Sequence, residues 1–443
     1  MKIVVLGAGE SGVGAARLAQ QLGFEVLVSD SGAIRPERRH ELQQMGVPFE
    51  EGGHHLPLLE QAQLIIKSPG IPPKAPPVQY ARQCGIPIIG EIEFAARYTR
   101  SPIIAVTGTN GKSTTVSLIW HILRRAGLDA ALVGNIGKSF AAQRAERDAA
   151  CYVVEVSSFQ LEDCYAFKPY VAVITNITSN HLDRYEYSVQ RYADTKFRIT
   201  QAQDEQDFLV YCADDEQTQE GIRRHTIRAQ QLTFSQHQHL SQGAWRQDEH
   251  IFFSLTKQTF TMPLQQLALR GKHNVYNSMA AGIVARLFDI KSELIREALS
   301  DFKSLEHRLE WVADIKGVEF INDSKATSVN AAWYALESIS KPIIWIAGGV
   351  DKGNDYSVLQ DLVRKKVKAL VCLGADNRKL HEAFSTCVDL IVNTNNMRDA
   401  VKAAFHLSAP GDCVLLSPAC ASFDLFENYE ERGRQFKENV REL

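Results

Sequence analysis

The residues best equipped for chemistry in this chain are Thr107-Gly108-Thr109-Asn110-Gly111-Lys112-Ser113-Thr114, between an apolar run, Ile103 to Val106, and a helical pattern beginning near Val116. Glycines let backbone N–H groups approach an anion, a helix N-terminus adds positive potential, and a lysine neutralises outer phosphates. The stretch therefore predicts a nucleotide-phosphate site, with Ser113 offering its hydroxyl to Mg2+. The general pattern also asks for a glycine five residues before Gly111, where Val106 stands, so the generic match is incomplete. A second strand pattern, Val153 to Val156, carries Glu155 and leads into Ser157-Ser158; an acid at a strand's carboxyl end, facing a phosphate loop, is placed to ligate Mg2+. A third, Val171 to Thr175, runs into a loop containing His181, and Lys196 follows on a helical pattern one turn after Tyr192. Singly, such a histidine is usually structural and such a lysine usually solvated; beside Lys112 and Glu155 they gain weight.

These residues need strands to present them. Three times an apolar β-branched run is followed by a glycine turn and a helical pattern: Ile3 to Leu6 with GAGESG, Ile103 to Val106 with TGTNGKST, and Ile343 to Ala347 with GGVDKGN. That is how strand–turn–helix units of parallel sheets read, and it predicts three α/β domains, at residues 1–91, 92–304 and 305–443. The first turn, with Asp30 ending the next strand pattern about 20 residues on, satisfies the dinucleotide-binding fingerprint. The same physics serves any diphosphate, including that of a UDP-sugar, or a tight turn with no ligand. Residues 201–263 carry short strand-like pieces (251–253 and 259–261) and read as a peripheral elaboration. Gly271 to Asn277 reads as an asparagine cap ahead of a helix, Ser278 to Ala285, whose amides could serve a nucleotide base.

Composition narrows the class. With 443 residues, 45 % hydrophobic and 23 % charged, the chain reads as an ordinary soluble globular protein of roughly two to four compact units. A net charge of -3 leaves no basic excess to hold nucleic acid or an anionic membrane surface. Eight cysteines without any CxxC pair suggest neither a zinc site nor a disulfide framework, and hence a reducing compartment. The apolar run at Met1 to Leu6 is too short for a signal-peptide core and no stretch approaches transmembrane length, so the cytoplasm is the simplest location.

In this order, TGTNGKST, EVSSFQLE, NITSNHLDRY with a later lysine, GKHNVYN, HRLE, NDSKAT and LSPACASFD are similar to the motifs of the Mur ligases over essentially the whole chain, and the last two to the branch that adds D-glutamate. The resemblance implies an N-terminal Rossmann-like domain for the UDP moiety, a central P-loop ATPase-like domain for ATP and Mg2+, and a C-terminal Rossmann-like domain for the amino acid. It reassigns the first glycine turn to UDP, with Ser11, Asp30 and Ser31 at the uridine end and Asn135, Ser158 and His181 on the diphosphate and sugar side. It implies ATP contacts from Gly108, Thr109, Asn110, Gly111, Lys112, Ser113 and Thr114, joined by Asn277, Arg308 and Asp323. Ser113, Glu155, His181 and Lys196 would hold two Mg2+ ions, directly or through water, with Lys196 matching the family's carbamylated lysine. Lys112, His181 and Lys196 are thus the catalytic candidates, and Thr327, Lys352, Ser422 and Phe423 those for D-glutamate. The sequence departs from many relatives at Asn180, Ser328, Tyr429 and Glu10.

The implied reaction is acyl-phosphate ligation: the alanine carboxylate of UDP-N-acetylmuramoyl-L-alanine attacks the γ-phosphate of ATP, and the amine of D-glutamate then displaces phosphate. It would serve peptidoglycan precursor synthesis, and a monomer is the family expectation. A nicotinamide-dependent dehydrogenase would explain the first glycine turn but not TGTNGKST, Glu155 and His181; ATP binding without product would favour a nucleotide sensor.

Overall fold

The computed structural model describes residues 1–178, 182–255, 259–269, 271–302, 306–351 and 353–443. Two of the anticipated site residues, His181 and Lys352, lie outside the described residues, as do Asn180 and the anticipated boundary at Ser304. Among the described residues no helix is long and apolar enough to cross a membrane.

The chain is mixed α/β, with three sheets of mostly parallel strands among the described residues, in two compact units, Met1–Ala268 with Asn274–Phe302 and Leu269–His273 with Lys303–Leu443. The first sheet comprises β1 (Lys2–Leu6), β2 (Glu25–Ser29), β3 (Phe49–Glu50), β4 (Leu64–Lys67) and β5 (Ile88–Gly90) in the order β3-β2-β1-β4-β5. Val4 lies opposite Leu27 and Ile65, and Ile3 to Leu6 are all buried, because a parallel strand has both faces covered. The strand order reverses between β1 and β4, which opens a crevice at their carboxyl ends, where Gly7 meets Ser68.

The second sheet holds β6 (Ile103–Thr107), β7 (Ala130–Gly134), β8 (Cys151–Glu155), β9 (Val171–Ile174), β10 (Phe208–Cys212), β11 (Gln230–Ser235), β12 (Gly243–Gln247), β13 (His250–Ser254) and β14 (Thr259–Pro263). Its order is β14-β13-β12-β11-β10-β9-β6-β8-β7, so β6 lies between β8 and β9 and its carboxyl end is the switch point. The 201–263 stretch contributes five of these strands. Leu209 and Phe234 are buried there, which makes its first half core; β12 to β14 form an antiparallel edge.

Two helix starts differ from the expectation. The helix after β6 begins at Lys112, not near Val116, because Gly111 takes the left-handed conformation at its N-cap (φ 81°) and puts Lys112 and Ser113 in the first turn. The later helix spans Lys272–Leu287, so Asn274 and Asn277 lie inside it and are not a cap. Their amides find tertiary and mutual partners, which offsets the weak preference of asparagine for a helix interior.

The second unit carries β15 (Glu310–Ile315), β16 (Val318–Asn322), β17 (Ile343–Ala347), β18 (Val367–Leu373), β19 (Ile391–Thr394) and β20 (Cys413–Leu416) in the order β15-β16-β20-β17-β18-β19. Only β15 is antiparallel, pairing with β16. The loops after β16, β17 and β20 leave from adjacent strands at one sheet edge.

Candidate active site

The phosphate loop is packed closely against its surroundings. A Cβ on Gly108 (φ 144°) would lie 1.9 Å from Thr175 Oγ1, and one on Gly111 2.4 Å from Asn277 Oδ1, so both positions require glycine. The segment after β9 is zipped onto the loop. Asn110 N donates to Asn176 Oδ1 at 3.0 Å, while Asn176 Nδ2 and Thr175 Oγ1 donate to Asn110 O at 3.1 and 2.6 Å. Thr109 N donates to Asn176 O at 2.8 Å, and Thr178 N to Thr109 Oγ1 at 2.9 Å. The loop is therefore preorganised, and Asn110 has its own N–H committed to a protein partner.

Two lysines converge on one carbonyl. Lys112 Nζ donates to Gly108 O at 2.9 Å and Thr109 O at 2.8 Å, and Lys196 Nζ donates to Gly108 O at 2.7 Å. Lys196 comes from the Val189–Phe197 helix, is 1 % exposed, and has its ammonium 4.5 Å from the centre of the Tyr192 ring. Burial, reinforced by the Lys112 charge and opposed by Glu155, holds the Lys196 ammonium well below the usual lysine range. Such a site favours a neutral amine.

Glu155 ends β8 and is buried, with Oε1 accepting from Asn135 Nδ2 at 2.7 Å; Asn135 N also donates to Glu155 O at 2.9 Å. Asn135, assigned to the sugar side by resemblance, thus also orients the carboxylate. Ser113 is buried in the first turn after the loop, and Thr114 beside it is half-buried. Ser158, buried, opens a short helix that Ser157 and Gln160 close with a capping box. Asn277 Oδ1 accepts from Thr115 Oγ1 at 3.2 Å, which brings that predicted residue to the base of the phosphate loop. Among the described residues no group of three or more His, Cys, Asp or Glu side chains could hold a metal. A serine hydroxyl and one buried carboxylate nevertheless suit Mg2+, which keeps waters and takes its remaining oxygens from phosphates.

At the first glycine turn the predicted acid is engaged with backbone. Asp30 Oδ2 accepts from Ala8 N at 2.6 Å and Oδ1 from Gly32 N at 2.9 Å. Ser11 is half-buried on the helix opening at Glu10, and Ser31 is exposed. Glu10, the unusual charge of this turn, accepts from Ser139 N at 3.2 Å; Glu91, buried, accepts from Ala141 N at 2.6 Å. Burial pushes the Glu91 carboxyl up to about 7, opposed by the bond from the Ala141 amide.

In the second unit Asp323 follows β16, buried, accepting from Ser417 Oγ at 3.0 Å and Leu309 N at 3.2 Å; burial pushes it up to about 7, opposed by these bonds and by Arg308 and Arg432. Arg308 lies between His307 and Leu309, both with positive φ (65° and 43°), a strained turn next to Asp323. Thr327 is exposed, Ser422 buried and Phe423 exposed by 68 %. Ser328 caps the Val329–Ser338 helix by accepting from Ala331 N, so that departure leaves a working cap. Tyr429 lies under the Lys325 ammonium at 5.2 Å.

Sequence reasoning gave no role to Thr175, Asn176 or Arg432. The first two stand where a strand ends before the histidine loop, which is a usable signal; the burial of Arg432 has none in a single sequence.

Known proteins match along the whole chain. The Mur ligase MurD-like N-terminal domain matches residues 1–90, the Mur ligase middle domain 106–285, and the Mur ligase glutamate ligase domain 307–420. A UDP-N-acetylmuramoylalanine–D-glutamate ligase of Bacteroides fragilis is 50 % identical over 443 residues, covering 100 % of both chains. One of Christiangramia forsetii is 48 % identical over 442 residues, covering 100 % of this chain and 99 % of the other. Among solved structures, UDP-N-acetylmuramate–alanine ligase from Thermotoga maritima shares the fold with a TM-score of 0.64 at 18 % identity, covering 100 % and 99 % of the chains. The MurF ligase of the same organism, in complex with ADP, gives 0.61 at 16 % identity, covering 94 % and 95 %.

Proposed function

The chain belongs to the Mur ligase family, and from that premise we propose that it uses ATP to join D-glutamate to the alanine carboxyl of UDP-N-acetylmuramoyl-L-alanine, in cytoplasmic peptidoglycan precursor synthesis. The observation that carries the chemistry is the pair of lysines on the Gly108 carbonyl beside buried Glu155. The alanine carboxylate attacks the γ-phosphorus of ATP, the bond to the β,γ-bridging oxygen breaks, and ADP leaves an acyl phosphate. Lys112 turns from its own loop to the phosphates and neutralises charge there. The amine of D-glutamate then attacks the acyl carbon, and collapse of the tetrahedral intermediate expels phosphate and leaves the amide.

Ser113, Glu155 and His181 are the proposed holders of Mg2+, which when bound spreads charge on the transferring phosphoryl group. Asn135 fixes the carboxylate that would ligate it. Lys196 is proposed as the carbamylated lysine: a neutral amine can add to CO2, releasing a proton and forming an anionic oxygen donor beside Glu155. Ser11, Asp30 and Ser31 are assigned to the uridine end, and Thr327, Lys352, Ser422 and Phe423 to D-glutamate, with the protein acting as a monomer on small molecules. The test is phosphate release with Mg2+, ATP and UDP-N-acetylmuramoyl-L-alanine, offering D-glutamate, L-glutamate, L-lysine or meso-diaminopimelate in parallel. Turnover and a new amide only with D-glutamate are expected; turnover with another amino acid, or none at all, would refute the assignment.

A further inference from the structure

The last helix, Tyr429–Arg441, belongs to the second unit and buries one cation there, Arg432. Arg432 is 1 % exposed, and its guanidinium bonds to three different loops. Nε donates to Ser324 Oγ at 3.0 Å and Nη2 to Ser324 O at 2.9 Å, in the loop after β16. Nη1 and Nη2 both donate to Cys420 O at 3.3 Å, after β20, and Nη1 reaches Gly348 O at 3.5 Å, after β17. Among the described residues every acceptor is neutral; the nearby carboxylates Asp323 and Asp424 act on it only through space. A charge left buried without an ionic partner is costly to fold around. What the chain obtains is a rigid fork of donors able to hold several carbonyls at once, which a lysine cannot do, and a fixed positive potential.

The three loops are those whose residues were assigned to the acceptor amino acid: Thr327 lies three positions after Ser324, Ser422 two after Cys420, and Lys352 four after Gly348. Ala419 N donates to Ala326 O at 2.9 Å and Val350 N to Ala421 O at 2.9 Å, so the loop after β20 touches each of the other two, whereas Arg432 bonds to all three from one side chain. We propose that Arg432 is a positioning and specificity residue for the acceptor: it locks the three loops in register and supplies a buried positive charge that favours a dicarboxylate amino acid. This rests on the acceptor reading given above.

The experiment is steady-state kinetics of the full chain with Arg432→Met, which keeps bulk and removes charge and fork, and Arg432→Lys, which keeps charge alone, with thermal melts alongside. Arg432→Met is expected to raise the KM for D-glutamate at least about tenfold while leaving those for ATP and UDP-N-acetylmuramoyl-L-alanine within about twofold, with Arg432→Lys in between. An unchanged KM for D-glutamate, or an equal rise for all three substrates, overturns the inference. Should Arg432→Met not fold, Arg432→Lys decides by the same criterion: a selective rise supports, a uniform or absent one overturns. Wild-type protein inactive with D-glutamate would instead sink the acceptor reading, before any variant is compared.

Discussion

The glycine turns after β1 and β6 are built alike, each at the carboxyl end of a buried parallel strand and each opening a helix, yet they are electrostatically opposite. At the first, the protein supplies the anion itself: Asp30 accepts from Ala8 N, and Glu10 leaves the same turn to cap Ser139 N. At the second, the protein supplies cations, with Lys112 and Lys196 both bonded to the Gly108 carbonyl. A glycine turn is thus a scaffold whose ligand is set by the charges placed around it. The second is poised for the concentrated charge of triphosphate, while at the first Asp30 is spent largely on holding its own loop.

The sharpest way to break this contrast is Lys112→Ala, which should lower D-glutamate-dependent phosphate release by at least about a hundredfold without shifting the melting temperature appreciably. A loss below tenfold would remove Lys112 from the chemistry. Next in size is a pH effect near the first turn. Glu91 is pushed up to about 7 by burial, so its contribution to stability is full at low pH and is lost as the pH rises from its unfolded value through that folded one. Denaturation between pH 4.5 and 7.5 should show a decline on the order of 3 kcal/mol that Glu91→Gln abolishes; an unaltered slope in the variant would show that Glu91 is not its source.

Asp30→Ala should cost about 1–3 kcal/mol by orphaning the Ala8 and Gly32 amides, and should raise the KM for the UDP substrate more than that for ATP. Equal KM values in variant and wild type would confine Asp30 to loop structure. The smallest effect belongs to Gly9→Ala. Nothing lies within 4 Å of the added Cβ and φ is -73°, so stability should change by less than about 0.5 kcal/mol. A larger loss, measured by thermal melt, would mean that this turn tolerates less than its geometry allows.

Much of this was legible in the residues. The β-branched runs before each glycine turn became β1, β6 and β17, because uninterrupted apolar strands belong to parallel sheets buried on both faces. Glu155 and Lys196 were placed on a strand end and a helix by pattern alone, as found. Helix starts were less legible: the Lys112 and Lys272 helices begin earlier than periodicity suggested, since a left-handed Gly111 and the tertiary partners of Asn277 outweigh local propensity. The 201–263 stretch was undervalued because its short strands owe their burial to neighbours distant in the chain.

Residue order by itself determined the class of fold, the phosphate loop and the kinship of the whole chain, since each is written in local pattern and spacing. Tertiary structure alone decided which groups meet: that Lys196 shares a carbonyl with Lys112 while burial, reinforced by the Lys112 charge, drives it towards a neutral amine, that Asn135 steers Glu155, and that Arg432 gathers three loops, the farthest 108 positions before it in the chain. The physical reason is that burial and Coulomb interaction depend on distance in space, which the topology of crossovers fixes and the spacing along a single chain does not.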